Sequence, residues 1–391
     1  MGWISVRKIC IIAEDYPSEG KPNFPFVQQL AFCLSNEKFE CVIIAPQSVS
    51  KCLVRCEKPN KLLSFDKNPE GKQIKVYRPL TITFSNATSK WLNKLSCLFY
   101  EHAIARTLRK LKDIETVYCY FWHVGLIAAH VLQNSKVQLV IQASECSISV
   151  TEPYLRQDIL QRVNGVVCAS RKNYEESIEH GLIVSDCRTA IIPNGFREDE
   201  FYVMDQLQAR EKLGFDPSAF IVAFVGDFNE RKGSQRLSSA IDRFPDVYSI
   251  FIGNGNEPPM CRNILFQGTV EHNRLCTYLN SADVFVLPTN AEGCCNAIIE
   301  AIACGLPVVS SNKSFNNEIL DEEDSIRIHE DSVDEIAEAI RLLKDDRDLR
   351  QRMSEHAVEV SSKFRIKRRA QSIASFILGE DPDPDLRRND N

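Results

Sequence analysis

The chain has 391 residues, of which 44% are hydrophobic and 26% charged, and its formal net charge at neutral pH is −6. That length suits two domains that each bury a core, and the balance argues against a disordered chain or a strongly basic nucleic-acid binder. No run approaches the roughly 18 apolar residues that cross a bilayer, and the cysteines sit in apolar runs without any CxxC pair, which argues for buried thiols over disulfides or zinc.

Taken from the start, MGWISVRKICIIAEDYP lacks the small-residue cleavage pattern of a signal peptide, so a cytoplasmic protein is expected. An apolar run at 8–13 predicts a strand, 24–35 a helix, and 41–45 a second strand. Further strands are expected at 116–120, 137–141, 165–168 and 189–192. This half carries an excess of Lys and Arg, and the remainder an excess of Asp and Glu. Between its strands, the segment 89–100 places Trp91, Leu95 and Leu98 on one helical side beside Lys90 and Lys94, with Arg106, Arg109, Lys110 and Lys112 following. Two readings stand for it: a basic amphipathic helix that meets an anionic membrane or a lipid-diphosphate acceptor, or an ordinary helix packing its stripe on the core.

Pro193-Asn194-Gly195 is a turn signal and a candidate hinge, because proline fixes φ while asparagine and glycine tolerate positive φ. A second strand series begins after it, at 219–225, 248–252, 264–266, 282–287 and 307–309. Helices are expected over 332–344, 347–360 and 364–378, and the polar, proline-punctuated tail from Glu380 reads as disordered. Strands alternating with helices predict an α/β fold of two doubly wound, Rossmann-like domains. The expected boundaries are 1–193, 194–362, a crossover helix at 363–379, and a tail at 380–391. The sequons at Asn86 and Asn312 would go unused in a cytoplasmic chain.

Ligands of such folds sit beyond the carboxyl ends of parallel strands, so the turns leaving the second series bear on function most. Gly226 to Gly233, GDFNERKG, leaves a strand and enters a helix with Arg231 and Lys232, an anion cradle or a pair of solvated charges. Gly253-Asn254-Gly255 ends the next strand, where glycine pairs admit close backbone approach or simply turn. Gln267-Gly268-Thr269-Val270 adds another turn. Glu292 to Val309, EGCCNAIIEAIACGLPVV, then puts Glu292 in a loop and Glu300 on an apolar helix. A helical wheel places Ala297, Glu300, Ala301 and Cys304 on one face and Ile298, Ile299 and Ile302 on an apolar side. A carboxylate in so apolar a helix needs a partner, either a protein donor or a ligand hydroxyl. Cations, glycine turns and two carboxylates together fit a nucleotide-sugar.

These motifs resemble the family 4 retaining glycosyltransferases of GT-B fold, the glycosyl transferases group 1, and within them members that build surface polysaccharide such as capsule or lipopolysaccharide. The resemblance covers nearly the whole chain and is carried most specifically by EGCCNAIIEAIACGLPVV, with Gly226 to Gly233 and Gly253-Asn254-Gly255 in the family's order. It implies two domains facing across a cleft, a C-terminal helix crossing back to the first, and transfer from a UDP-sugar or similar donor to a saccharide or lipid-linked acceptor, with configuration retained. Donor contacts would come from Gly226, Arg231, Lys232, Gly253, Gly255, Val270, Glu292, Gly293, Cys294, Cys295, Asn296 and Glu300. Lys232 would neutralise the diphosphate, Glu292 hold the donor sugar and Glu300 the ribose.

On the acceptor side the resemblance implies Asn23, Phe24, Ser144 and Glu145, and His123, which follows a first-domain strand, is read either as lining the cleft with them or as a structural histidine. The family's diphosphate arginine falls on Asp227 and its cleft histidine on Gln142, so Arg231 is expected to replace the one and Gln142 to serve catalysis beside Glu292 and Lys232. No metal or other cofactor and no nucleic acid is expected, because cations and helix amides can stabilise the leaving group. Contact with an anionic membrane at the inner face of the plasma membrane is expected. Competing readings are a non-catalytic nucleotide-sugar binder, or a GT-B epimerase or phosphorylase.

Overall fold

The structure is a computed structural model of the 391-residue chain, and it describes residues 6–19, 21, 23–37, 39–84, 90–150 and 154–383. The sequon at Asn86, the start of the amphipathic segment at Ser89, and the tail beyond 383 lie outside those residues. The chain divides into two compact units, one built from Met1–Ala169, Asn173–Ile192 and Ala370–Asp383, the other chiefly from Pro193–Arg369.

The first unit holds an eight-stranded sheet. From one edge the strands are Arg188–Ile191, Gly165–Cys168, Gln138–Ala143, Thr116–Tyr120, Arg7–Ile12, Phe39–Ile44, Gln73–Tyr77 and Leu63–Lys67. All neighbours are parallel except the last pair. The inner strands read as continuous apolar runs because helices cover both faces, and Ile9, Cys10, Ile11 and Ile12 are fully buried. The outer hairpin alternates instead: Ile74 and Val76 point into the core while Gln73 and Lys75 stay exposed. The strand order reverses between Arg7–Ile12 and Thr116–Tyr120, so the loops leaving those two strands flank a crevice.

The second unit is a six-stranded parallel sheet in the order Ile264–Gly268, Val247–Ile252, Phe220–Val225, Val284–Leu287, Val308–Ser311, Ser325–Ile328. Its order reverses between Phe220–Val225 and Val284–Leu287. The loops carrying Lys232 and Glu292 leave those two strands, side by side at the position where doubly wound sheets bind ligands.

Around Pro193-Asn194-Gly195 the physical reason for the motif differs from a flexible turn. Neither Asn194 nor Gly195 takes a positive φ. A Cβ on Gly195 would lie 2.9 Å from the Phe364 carbonyl oxygen, and on either side of it Phe196 N donates to the Phe364 carbonyl and Ile366 N to the Phe196 carbonyl. Glycine is needed there for close approach of two backbones.

The last helix is Ile366–Leu378, after a short 3-10 turn at Ser362–Phe364. From Ala370 it counts with the first unit, where Phe376 fills the space above Gly165, Arg188 stacks over the Phe376 ring at 4.8 Å, and Gln138 Nε2 donates to the Ile377 carbonyl. Among the described residues no helix is long and apolar enough to cross a membrane.

Candidate functional site

In the second unit, Glu292 is the centre of a charge cluster. Its Oε1 accepts from Arg231 Nη1 at 2.7 Å and Thr289 Oγ1 at 2.9 Å, and lies 2.6 Å from Lys232 Nζ. Arg231 also donates to the Ala291 carbonyl at 2.7 Å, and Asn290 N to the Arg231 carbonyl at 2.8 Å, so the loops after the two central strands are laced together. Lys232 is oriented by Asn229 Oδ1, which accepts its backbone N–H, and its stem runs along Gly226, whose Cβ would meet Lys232 Cδ at 3.3 Å.

Burial pulls the Lys232 ammonium down, but Cys295 and Glu292 outweigh it, and the group ends above its ordinary value. Cys295 is itself pushed up to about 11 by burial and stays a thiol near neutrality. Lys232 therefore remains a cation, and Glu292, 9% exposed, is a carboxylate shared by two of them. Thr289, fully buried, was missed by sequence reasoning; its signal was a hydroxyl directly after a strand, in LPT.

The glycines serve the architecture in a way their motif did not reveal. A Cβ at Gly253 would lie 1.9 Å from the Gly226 carbonyl oxygen, and at Gly255 2.2 Å from that of Phe228. Gly226 N donates to Ile252 O, Phe228 N to Asn254 O and Gly253 N to Gly268 O, so three neighbouring turns form a ladder. Gly253 and Gly255 hold φ of 153° and 152°, a region closed to side-chain-bearing residues. They let protein backbone, and not only a ligand, come close. Val270 follows this ladder, half-buried. Asp227 points to solvent and has no ion pair among the described residues.

The helix Asn296–Ala303 begins after Cys295 with no side-chain cap. Asn194 ties its entrance by donating to Cys294 O at 3.1 Å and Asn296 Oδ1 at 2.9 Å, and its backbone N–H to Cys294 Sγ at 3.4 Å. Gly293, Cys294 and Cys295 are buried and Asn296 is exposed. The wheel needs one correction: Ala301 and Cys304 are buried together with Ile298, Ile299 and Ile302, leaving Asn296, Ala297 and Glu300 on the open side. The helix is packed on more than half its circumference.

Glu300 makes no side-chain hydrogen bond among the described residues, and burial pushes it up to about 7, with His272 opposing and Glu200 adding to the rise. His272 Nε2 lies 3.2 Å from Glu200 Oε2, which raises the imidazole against its own burial. Glu200 is also paired with Arg197 at 2.8 Å. His272 and Glu200 were not anticipated, since nothing in the motif spacing links them to Glu300.

In the first unit, Asn23, Phe24 and His123 line a cavity of about 730 Å³ together with Glu14, Asp15 and Tyr100. Asn23 Nδ2 donates to Asp15 Oδ2 at 2.9 Å. Phe24 and Phe121, at φ of 55° and 75°, stand edge to face 6.1 Å apart, two bulky residues in a conformation that favours glycine. Burial holds His123 below its ordinary value, with Glu14 opposing.

Three first-unit expectations are corrected. Gln142 is fully buried inside the sheet, where its Oε1 accepts the Tyr118 hydroxyl at 2.5 Å; it has no surface to offer a sugar or a departing oxygen. Glu145 is a helix cap: its Oε1 accepts from Trp122 N at 2.7 Å, at the start of Trp122–Val131, and its Oε2 from Ser144 N at 2.8 Å. Burial nonetheless pushes Glu145 up to about 7 against those donors. Ser144 and Glu145 stand outside the cavity that holds the other three residues.

Comparison with known proteins follows the same division. Residues 205–360 match the family described as glycosyl transferases group 1. Over 351 residues the chain is 25% identical to TuaC of Bacillus subtilis (strain 168), assigned by name to teichuronic acid biosynthesis as a glycosyltransferase, across 85% of this chain and 88% of that one. An Escherichia coli UDP-Gal:alpha-D-GlcNAc-diphosphoundecaprenol alpha-1,3-galactosyltransferase is 25% identical over 233 residues, 54% of this chain and 59% of its own length.

Among solved structures, sucrose-phosphate synthase from Thermosynechococcus elongatus has a TM-score of 0.75 at 17% identity, over 95% of this chain and 98% of that one. Anabaena Alr3699/HepE, solved with UDP, has a TM-score of 0.68 at 16% identity, over 95% of this chain and the whole of its own. At such identities the likeness speaks to the fold, which is GT-B.

Proposed function

We propose that this chain, whose residues 205–360 belong to the glycosyl transferases group 1 family, is a metal-independent, configuration-retaining hexosyltransferase acting in surface-polysaccharide or glycoconjugate synthesis. The donor is a nucleoside-diphosphate-sugar, a UDP-sugar first among those to test, and the acceptor a lipid-linked saccharide met at the cytoplasmic face of the membrane. The relatives named for teichuronic acid synthesis and for a diphosphoundecaprenol-linked acceptor support this reading.

The observation that carries it is the cluster at the sheet's switch point, where Arg231 and Lys232 converge on Glu292 ahead of the helix that bears Glu300. A diphosphate leaving group accumulates negative charge as the glycosidic bond lengthens, and fixed cations in a water-poor site stabilise that charge most where it grows. Lys232 and Arg231 take that role. Glu292, freed from part of its pairing by the arriving phosphates, accepts from a donor-sugar hydroxyl, while Glu300 in its ionised form accepts from the ribose hydroxyls. Neither carboxylate acts as an acid/base couple. Arg231 supplies the positive charge that Asp227 does not, and Asp227 points to solvent.

A second reading, a non-catalytic nucleotide-sugar binder, draws on Asp227 and on the burial of Gln142. Nucleoside-diphosphate release from UDP-, GDP- and ADP-sugars separates the two: binding without release, with or without a prenyl-diphosphate-linked acceptor, would sink the transferase reading.

A further inference from the structure

Arg236 follows Lys232 by four residues, on the helix Ser234–Ile241, and its side chain is only 17% exposed. Its guanidinium reaches the loops that leave three strands of the second sheet. Nη1 donates to the Glu230 carbonyl at 2.8 Å, in the loop of Arg231 and Lys232. Nη2 donates to the Pro288 carbonyl at 2.8 Å and to Asn290 Oδ1 at 2.9 Å, in the loop of Glu292. Nε donates to the Glu330 carbonyl at 2.9 Å, just past the strand Ser325–Ile328. A planar fork with donors in fixed directions can meet acceptors on several loops at once, which a lysine ammonium on its flexible stem cannot. Gly233 leaves the room for it: at a φ of 77°, a Cβ there would lie 2.6 Å from the Pro288 oxygen and 2.7 Å from Arg236 Nη2.

The tie extends one loop further, because Lys313 Nζ, just past the strand Val308–Ser311, lies 2.6 Å from Glu330 Oε1. In the free chain the ion pairs of Arg231 and Lys232 with Glu292 also hold the two central loops together. An arriving anion competes with Glu292 for those two cations, so that link weakens at the moment the site fills. The Arg236 bonds end on backbone carbonyls and a side-chain amide, acceptors for which an anion does not compete. Four of the five guanidinium donors already end on protein, and the Asp331 carboxylate lies 3.6 Å from Nε, so Arg236 is placed to hold the loops and not to bind the anion itself. Its contribution is therefore larger with the anion bound than without it.

We propose that Arg236 is a positioning residue for the diphosphate: it keeps the Lys232 loop and the Glu292 loop at their mutual spacing while the cations pass from Glu292 to the phosphates. This rests on the transferase reading for the identity of the anion, and it adds to that site a residue that acts through Lys232 and Arg231 without touching the ligand.

The test is calorimetry of the full chain with inorganic pyrophosphate, alongside thermal melts. Arg236→Ala and Arg236→Lys should each weaken pyrophosphate binding by about tenfold, the lysine failing although it keeps the charge, because it cannot span acceptors on three loops. Methylguanidinium added to Arg236→Ala should restore most of the loss, and added to Lys232→Ala should restore none. Combining Arg236→Ala with Lys232→Ala should cost less than about twofold beyond Lys232→Ala alone, since one residue acts through the other. A residue that only stabilised the unit would lower the melting temperature and leave the anion affinity of the folded chain as it was. Native affinity in Arg236→Lys, additive losses in the double variant, or no pyrophosphate binding by the native chain would overturn the proposal. Nucleoside-diphosphate release judges the transferase reading separately: pyrophosphate binding that depends on Arg236, without release from any donor, would sink that reading and leave this one standing.

Discussion

Replacing Glu300 by glutamine should change the stability of the chain in a pH-dependent way. In the folded chain burial moves this carboxyl from 4.5 to about 7, so the folded state keeps a proton that the unfolded chain releases near 4.5. Stability contributed at this site is therefore whole below that lower value and declines as pH rises through about 7, above which the buried charge becomes fully present. A displacement of that size, which already includes the opposing His272, corresponds to about 3 kcal/mol, and partial exposure of Glu300 to solvent brings it to about 1–2 kcal/mol.

The isosteric glutamine carries no charge to desolvate. Thermal melts of the two proteins should nearly coincide at pH 4.5 and separate at pH 8, the variant melting higher by about 2–6 °C for a unit of this size. Donor affinity should move the other way, because the ribose hydroxyls lose an ionised acceptor, and in the native protein it should rise with pH through about 7. A variant that melts lower at pH 8, or a difference independent of pH, would refute the reasoning that Glu300 is a buried charge awaiting a ligand.

Other outcomes follow from the same geometry. Lys232→Ala should weaken UDP binding in calorimetry by about 1–3 kcal/mol, the scale of a lost charge-assisted hydrogen bond, and abolish most donor turnover. Gly253→Ala should lower the melting temperature sharply and cost more than about 3 kcal/mol, since its Cβ would lie 1.9 Å from a backbone oxygen at a φ of 153°; near-native stability would show that the ladder of turns yields. Glu145→Ala should lower stability by about 1–2 kcal/mol through loss of the cap on Trp122–Val131, with UDP affinity unchanged.

What was readable in the sequence follows from how each element is buried. Strands covered on both faces are continuous apolar runs, so Thr116–Tyr120 and Gly165–Cys168 were legible to the residue, and the helices from 332 onward to within a residue or two. The hairpin Leu63–Lys67 and Gln73–Tyr77 was passed over because an edge pair alternates, and Ser325–Ile328 because Arg327 interrupts a short edge strand. At the donor side, spacing located Lys232, Glu292 and Glu300, whose elements are neighbours in the fold. Thr289 stands three residues before Glu292 and was legible as a hydroxyl at a strand end, whereas His272 and Glu200 approach Glu300 only through tertiary packing, which one sequence does not encode locally. The same limit explains Gln142: its place in a motif was visible, but its inward orientation depends on the pleat of its strand and on the tyrosines beside it.

The most direct measurement is nucleoside-diphosphate release from a panel of UDP-, GDP- and ADP-sugars by the native chain and by Lys232→Ala, with a prenyl-diphosphate-linked saccharide present. A donor-specific release that Lys232→Ala removes is the predicted result. Binding without release from any donor, or release that survives the loss of Lys232, would contradict the account.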